Sequence, residues 1–302
     1  MLYRIGTRGS KLALAQAGAV REKLAEAFPG HRFELAVVKT SGDKFASIPM
    51  RKIGTKGIFI KEIEEELLDG KLDLAVHSMK DMPSELPEGL TLAKAWERED
   101  PRDVLILREK DSLAELPSGA VIATGSLRRK YQLLRMRDDL DIVDIRGNVE
   151  TRIRKMKEQE LDGIVLAAAG LKRLGLEDQI TCYFDDDEMI PAPAQGALAI
   201  EFAEKRQDVL SLLEGFADEA SHTAVTAERH FLAMMGGGCH QPVGAVCEVK
   251  DDGLMMKVMY GDEAGENTAF AEAEGRDPIA VAEKAAEEIR TALRKMRKKG
   301  NY

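Results

Sequence analysis

Arginines placed where strand-like runs turn into helical patterns are the strongest chemical signal in this 302-residue chain. Between Arg128 and Lys157 stand ten Lys or Arg against five Asp or Glu, a basic island in a chain whose net charge is −9. Gly125-Ser126-Leu127-Arg128-Arg129 follows an apolar run and opens a helical pattern. Backbone N–H groups at such a helix start, the Ser126 hydroxyl and two guanidinium forks would converge on an anion. Arg146-Gly147-Asn148 repeats the arrangement, with Asn148 as a cap and Arg152 about one turn further on. Arg4 to Ser10 repeats it again at the N-terminus, where Arg8 and Ser10 occupy the anion-holding positions. Arg binds carboxylate or phosphate bidentately, which Lys does not. Ordinary surface ion pairs account for Arg135, Arg137, Arg154, Lys155 and Lys157. They account less well for Arg128, Arg129 and Arg146 at the junctions. The Lys52–Lys56 stretch lacks the Gly-Lys-Ser/Thr of a P-loop, so nucleotide phosphate is not indicated.

Two further groups could carry out a reaction. His77-Ser78-Met79-Lys80-Asp81-Met82-Pro83 crowds the end of an apolar run. Asp81 there could serve as general acid or base, or could stabilise a cation formed during reaction. On residue type and place alone, the commoner reading is a turn or cap aspartate. Gly236-Gly237-Gly238-Cys239 places a thiol after three glycines, a setting open to nucleophilic use. Cys182 and Cys247 read as inert, as most cysteines are. No Cys-His-Asn order accompanies Cys239, and the cysteines have no metal-ligand spacing.

The elements that must position these residues alternate. Strands are expected at Leu2–Gly6, Phe33–Val38, Leu72–His77 and Leu90–Trp96, with helices at Lys11–Phe28, capped by Ser10, and Phe59–Leu68. The charge run Glu97–Asp103 is either an interdomain linker or a surface loop. A second set follows, with strands at Val104–Leu107, Ala120–Thr124, Ile142–Ile145 and Gly163–Ala167, and helices at Leu127–Arg137 and Val149–Glu160. Pro191–Gly196 punctuates the chain. A helix over Glu219–Met235, strands Val243–Val249, Leu254–Tyr260 and Thr268–Glu274, and a helix from Pro278 to about Lys298 suggest a small α+β domain. Alternating strands and helices imply parallel or mixed sheets.

At roughly 100–200 residues per domain, the length suggests two or three domains. The acidic balance argues against a general binder of nucleic acid or anionic membrane. No apolar run reaches the ~18–20 residues that cross a bilayer. Met1–Ala19 does not read as a secretory signal, and three cysteines fit a reducing compartment, so the cytoplasm is the expected location.

The motif set His77–Pro83, Gly125–Arg129, Arg146–Arg152, Ala169–Gly175, Gln195-Gly196-Ala197 and Gly237-Gly238-Cys239 resembles the porphobilinogen deaminase family, also called hydroxymethylbilane synthases. Each motif alone is weak; together, in this order over nearly the whole chain, they are specific. The resemblance implies a transferase of porphyrin and haem biosynthesis. It would join four porphobilinogen molecules head to tail with loss of ammonia, then release hydroxymethylbilane by hydrolysis. It implies a dipyrromethane cofactor held by a thioether to Cys239, with Asp81 stabilising the cationic intermediates. Lys80, Asp81, Ser126, Arg128, Arg129, Arg146 and Gln195 would contact that cofactor. Arg8, Ser10, Arg146, Arg152 and Arg173 would bind substrate. Lys56 and Lys61 fall in a segment, Gly54–Glu64, that resembles a loop over the active site.

The resemblance further implies two α/β lobes resembling type II periplasmic binding proteins, plus a small C-terminal α+β domain. Domain 1 would comprise 1–96 and 195–216, domain 2 97–194, and domain 3, with the cysteine loop, 217–302. The expected partner is porphobilinogen, with no metal, nucleic acid or membrane, and the expected state is a monomer. Two rivals are a non-catalytic two-lobed carboxylate binder and an effector-sensing module of a regulator. The absence of an export signal and the Gly-Gly-Gly-Cys loop weigh against the first. The absence of a DNA-binding segment weighs against the second.

Overall fold

The computed structural model describes residues 1–40, 60–236, 241–262 and 268–299. The chain divides into two compact units, Met1–Glu99 with Ala197–His222, and Asp100–Gly196 with Thr223–Tyr302.

In the first unit, β1 (Leu2–Thr7), β2 (Arg32–Val37), β3 (Leu74–Ser78), β4 (Leu90–Leu92) and β10 (Leu198–Ala203) form a sheet of order β2-β1-β3-β10-β4. β1 runs parallel to β2 and β3, whereas β10 is antiparallel to β3 and β4. Side chains alternate between the faces, and both faces are covered, so β3 is apolar nearly to its end. Leu74, Val76, Ile200 and Phe202 pack with Ala17, Val20 and Leu24 of α1 (Lys11–Ala27) and with Val209 and Leu212 of α6 (Gln207–Leu213). Ala75 and Ala203, on the other face, pack with Ile63 and Leu67 of α2 (Lys61–Leu68). The expected strand Leu90–Trp96 pairs only as far as Leu92, although the Ala93 amide still donates to Ile200 O at 2.9 Å.

The second unit holds a sheet with the same plan. β5 (Asp103–Leu107), β6 (Val121–Ala123), β7 (Asp141–Val143), β8 (Gly163–Ala167) and β9 (Cys182–Tyr183) take the order β7-β6-β8-β5-β9. β6 is parallel to β7 and β8, and β5 is antiparallel to β8 and β9. In both sheets the fourth strand runs against its neighbours and is the first strand after the chain enters that unit, β5 after Asp100 and β10 after Ala197. α3 (Leu127–Met136), α4 (Val149–Glu158) and α5 (Ala168–Arg173) each follow a strand of this sheet.

Also in the second unit, β11 (Val243–Lys250), β12 (Gly253–Gly261) and β13 (Thr268–Gly275) form an antiparallel meander. Ala245, Cys247, Met256 and Val258 of its one face pack on Phe231 of α7 (Glu219–Met234) and on Val281, Ala285 and Ile289 of α8 (Pro278–Lys299). Val246 and Met259 of the other face pack on Ile190, next to the α/β part, and Ala245 N donates to Pro191 O at 2.9 Å. An ion pair between Lys257 and Asp187 and the Arg135 guanidinium 4.1 Å from the Phe270 ring centre complete that junction. No described helix is long and apolar enough to cross a membrane.

Candidate active site

In the first unit, the chemically equipped residues stand at the carboxyl ends of the parallel strands, where open α/β sheets hold ligands. After β1 comes Arg8, then Ser10, which caps α1 by accepting from Ala13 N at 3.2 Å. Buried Thr7 closes the same turn by donating to Ala13 O at 3.1 Å. After β3 the chain makes one 3-10 turn, Met79–Asp81. Met79 and Met82 are buried, so the turn is anchored at both ends, with Lys80 half-buried and Asp81 exposed between them. Two bonds hold its start. Met79 N donates to Ala197 O at 3.0 Å, and Gln16 Nε2 donates to Ser78 Oγ at 2.9 Å. Lys61 is exposed at the first position of α2, 3.8 Å from Glu65.

In the second unit the same edge of the sheet collects Ser126 after β6, Arg146 and Arg152 after β7, and Arg173 at the end of the helix after β8. Ser126 Oγ accepts from Arg129 N at 3.4 Å and Asn148 Oδ1 from Thr151 N at 2.9 Å, so both helices carry the side-chain caps their sequences promise. Gly147 lies at φ 128°, where a side chain is strained, and a Cβ there would fall 2.7 Å from Thr151 Cγ2. Arg152 Nε donates to Gly147 O and Arg173 Nη2 to Gly196 O, each at 2.6 Å. Arg146 is half-buried, 3.4 Å from Asp144.

Arg128 and Arg129 behave differently from these junction arginines. They are buried, and both pair with Asp103, whose own exposure is 0%. Arg128 Nη1 donates to Asp103 Oδ2 at 2.6 Å and to Ile190 O at 2.8 Å. Arg129 donates to Asp103 Oδ1 through Nη2 at 2.7 Å and Nε at 3.1 Å, and to Val165 O through Nη1 at 3.0 Å. Gln195 Nε2 reaches the same Oδ1 at 2.9 Å and Pro101 O at 2.6 Å. Burial alone would raise the Asp103 pKa, but the two guanidinium groups outweigh it and hold the carboxyl well below the usual carboxylate range. Burial lowers the pKa of Arg128. Two cations and one anion leave this cluster one charge positive.

The sequence singles out Arg128, Arg129 and Gln195 but leaves Asp103 in the charge run Glu97–Asp103, linker or surface loop. The signal was an acid opening the apolar run Val104–Leu107, a place where burial demands a partner. Cys239 and Lys56 lie outside the described residues. Cys182 is half-buried and Cys247 buried, both as free thiols, and burial pushes the Cys182 thiol up. Among the described residues, no group of three or more His, Cys, Asp or Glu is placed to hold a metal ion.

Comparisons with known proteins extend the picture. A family model described as "Porphobilinogen deaminase, dipyromethane cofactor binding domain" matches residues 3–211, and one described as "Porphobilinogen deaminase, C-terminal domain" matches residues 222–295. The porphobilinogen deaminase of Lachnospira eligens is 55% identical over 289 residues, covering 95% of this chain and 98% of that protein. That of Clostridioides difficile is 50% identical, covering 90% of each chain. That of Syntrophomonas wolfei is 49% identical, covering 96% of this chain and 94% of that protein. Among solved structures, the methionine-binding protein MetQ is similar with a TM-score of 0.45 at 14% identity, over 78% of this chain and 94% of that one.

Proposed function

The chain belongs to the porphobilinogen deaminase family, the hydroxymethylbilane synthases of tetrapyrrole biosynthesis, and on that premise we propose how its residues divide the work of a dipyrromethane-carrying transferase. The overall reaction joins four porphobilinogen molecules head to tail with loss of ammonia and ends in hydrolytic release of hydroxymethylbilane.

The residues fit the cofactor. The Asp103–Arg128–Arg129 cluster is buried and one charge positive, and Arg128 has no acceptor for Nε or Nη2 among the described residues. A buried cationic cluster of this kind is completed by a carboxylate. Arg128, Arg129, Ser126, Arg146, Gln195, Lys80 and Asp81 would hold dipyrromethane, with Cys239 as the covalent attachment through a thioether. When bound, dipyrromethane supplies the pyrrole carbon that accepts an incoming unit.

The remaining roles fall to the strand ends. Each porphobilinogen brings two carboxylates, and Arg8, Arg146, Arg152 and Arg173, with the Ser10 hydroxyl, take them. Guanidinium forks hold such groups in a fixed orientation, which turns a collision into a positioned encounter. Loss of ammonia leaves porphobilinogen as a resonance-stabilised cation. Asp81, a carboxylate on an anchored turn, accepts the pyrrole N–H hydrogen bond and offsets that positive charge. Lys56 and Lys61 would act from the segment Gly54–Glu64, by its resemblance to the family's loop over the active site. The chain works in the cytoplasm as a monomer, in three domains: 1–96 with 195–216, 97–194 and 217–302. Two features support this division. Strand β10 joins the first sheet, and α7 and α8 share a core with the antiparallel meander.

The observation that carries this reading is the anchored Met79–Asp81 turn at the carboxyl end of β3, with Asp81 exposed between two buried methionines. Asp81→Asn keeps the shape and removes the charge. We expect turnover to fall by about a hundredfold or more, as when a group stabilising transition-state charge is lost, while the intact mass still exceeds the sequence by one dipyrromethane. Near-normal turnover would refute the role. Cys239→Ser should have the mass of its sequence alone, and a full adduct in that variant would refute the attachment site.

A further inference from the structure

Asp103 touches the candidate machinery through three of its members, yet belongs to none of the motifs. It opens β5 immediately after the chain enters the second unit, and its side chain is wholly buried. Oδ1 accepts from Arg129 Nη2, Arg129 Nε and Gln195 Nε2, while Oδ2 accepts from Arg128 Nη1. The pairing is unequal. Every nitrogen of the Arg129 guanidinium donates within the protein, the third to Val165 O. Among the described residues, Arg128 donates through Nη1 alone, to Asp103 and Ile190 O. A guanidinium is rigid and planar, so fixing Nη1 on two acceptors fixes the direction of the Nε–Nη2 edge. That edge is the bidentate face that carboxylates prefer.

We propose that Asp103 is a positioning residue for the tetrapyrrole-building reaction: it orients Arg128 so that its Nε–Nη2 edge takes a pyrrole carboxylate, and keeps Gln195 and Arg129 in register around it. This rests on the reading of Arg128 as a carboxylate ligand. Asp103 also sets the charge. Without it, two guanidinium groups would face each other unscreened in a buried place and drive apart. With it, the cluster stays assembled and one charge positive, matched to a single carboxylate. Asp103 itself need not touch cofactor or substrate.

The test compares Asp103→Asn with wild type and with Val165→Ala, a core truncation on β8 that leaves the Val165 carbonyl in place. Intact mass reads the fraction of protein carrying the adduct, thermal unfolding reads stability, and steady-state kinetics read KM and kcat for porphobilinogen. We expect Asp103→Asn to lose most of the adduct or to raise KM by about tenfold or more, the usual scale when the group orienting a ligand is removed. Val165→Ala should keep full adduct and a wild-type KM despite its own fall in melting temperature. Full adduct with KM within about twofold of wild type in Asp103→Asn would overturn the inference, since losing an orienting charge should change one or the other. If Asp103→Asn does not accumulate, Asp103→Glu keeps the charge and displaces it by one methylene. A raised KM with the adduct retained supports positioning, and an unchanged KM overturns it. A wild-type protein without adduct overturns the functional reading first, and the inference with it.

Discussion

Each α/β sheet buries an acid on its antiparallel fourth strand, Asp103 on β5 and Glu201 on β10, and each acid is fully hidden from solvent. Their surroundings are opposite. Asp103 accepts hydrogen bonds from two arginines and a glutamine. Glu201 has only the His77 ring, with Nε2 3.2 Å from Oε2, and neither of its oxygens has a well-formed hydrogen bond among the described residues. A second acid, Glu64 of α2, lies buried nearby; burial first, then the Glu201 and Glu65 charges, push its carboxyl up to about 7. Of the strands packed against α2, β3 contributes His77, β10 Glu201, and β4 no titratable group. An unpaired buried charge is too costly to persist. The cluster in the second unit is therefore left one charge positive, whereas in the first, burial and neighbouring acids raise the Glu64 carboxyl. On the reading of Arg128 as a carboxylate ligand, the contrast separates a cluster that would hold a polycarboxylate from one that serves packing.

The largest effect should come from removing the acid in each. Asp103→Ala leaves two buried guanidinium groups uncompensated and should cost about 3–5 kcal/mol. Glu201→Gln replaces a carboxyl that has no well-formed hydrogen bond among the described residues and should cost about 1 kcal/mol or less. Urea unfolding of both variants checks the ordering, and equal losses would erase the contrast.

The two arginines of the second unit should also part company. Arg129→Met, which strips every internal bond to Asp103 Oδ1 from that side chain, should cost about 3 kcal/mol of stability. Arg128→Met should cost less stability but lower the fraction of protein carrying the adduct. Mass and melting temperature measured on the same samples decide it.

The pH response sharpens the comparison at smaller scale. Glu64 is raised from 4.5 in the unfolded chain to about 7 in the fold, so the folded state holds a proton that the unfolded state releases. Its contribution is complete below about pH 4.5 and lost as pH rises to about 7, on the order of 1 kcal/mol. Glu64→Gln should remove this loss, visible as a smaller fall in urea midpoint between about pH 4.5 and about pH 7. Asp103 works in the other direction. Its pKa is depressed, so its contribution is present at neutral pH and disappears only in acid below the ordinary carboxylate range.

The smallest expected effect lies at the entry to β10. Ala194 takes a left-handed backbone at φ 59°, held by its amide donating to Glu228 Oε2 at 2.6 Å. Among the described residues, no non-glycine at the entry to β5 does the same. Ala194→Gly should therefore stabilise the chain by about 0.5–1 kcal/mol, which a melting temperature can read.

Much of the site was legible because its parts are local. Ser10, Ser126 and Asn148 each cap the helix that starts just after them, through bonds three residues long. Met79 and Met82 anchor the turn that carries Lys80 and Asp81 by the ordinary preference of methionine for the interior. Short elements were harder. The helices Ala168–Arg173 and Gln207–Leu213 span too few turns for a period of 3.6 to declare itself, and Cys182–Tyr183 is too brief to alternate.

The residues themselves determined the alternation of strands and helices, the turns between them and the chemical types gathered at those turns, because hydrogen bonds between near neighbours and the periodicity of apolar side chains act over a few positions. Tertiary structure alone decided which charges would meet. Asp103 finds Arg128 and Arg129 from 25 and 26 positions away and Gln195 from 92, and Glu201 finds His77 across two paired strands. Coulomb attraction and desolvation depend on distance in space and on exposure, and both are set only once the sheets have closed around their cores.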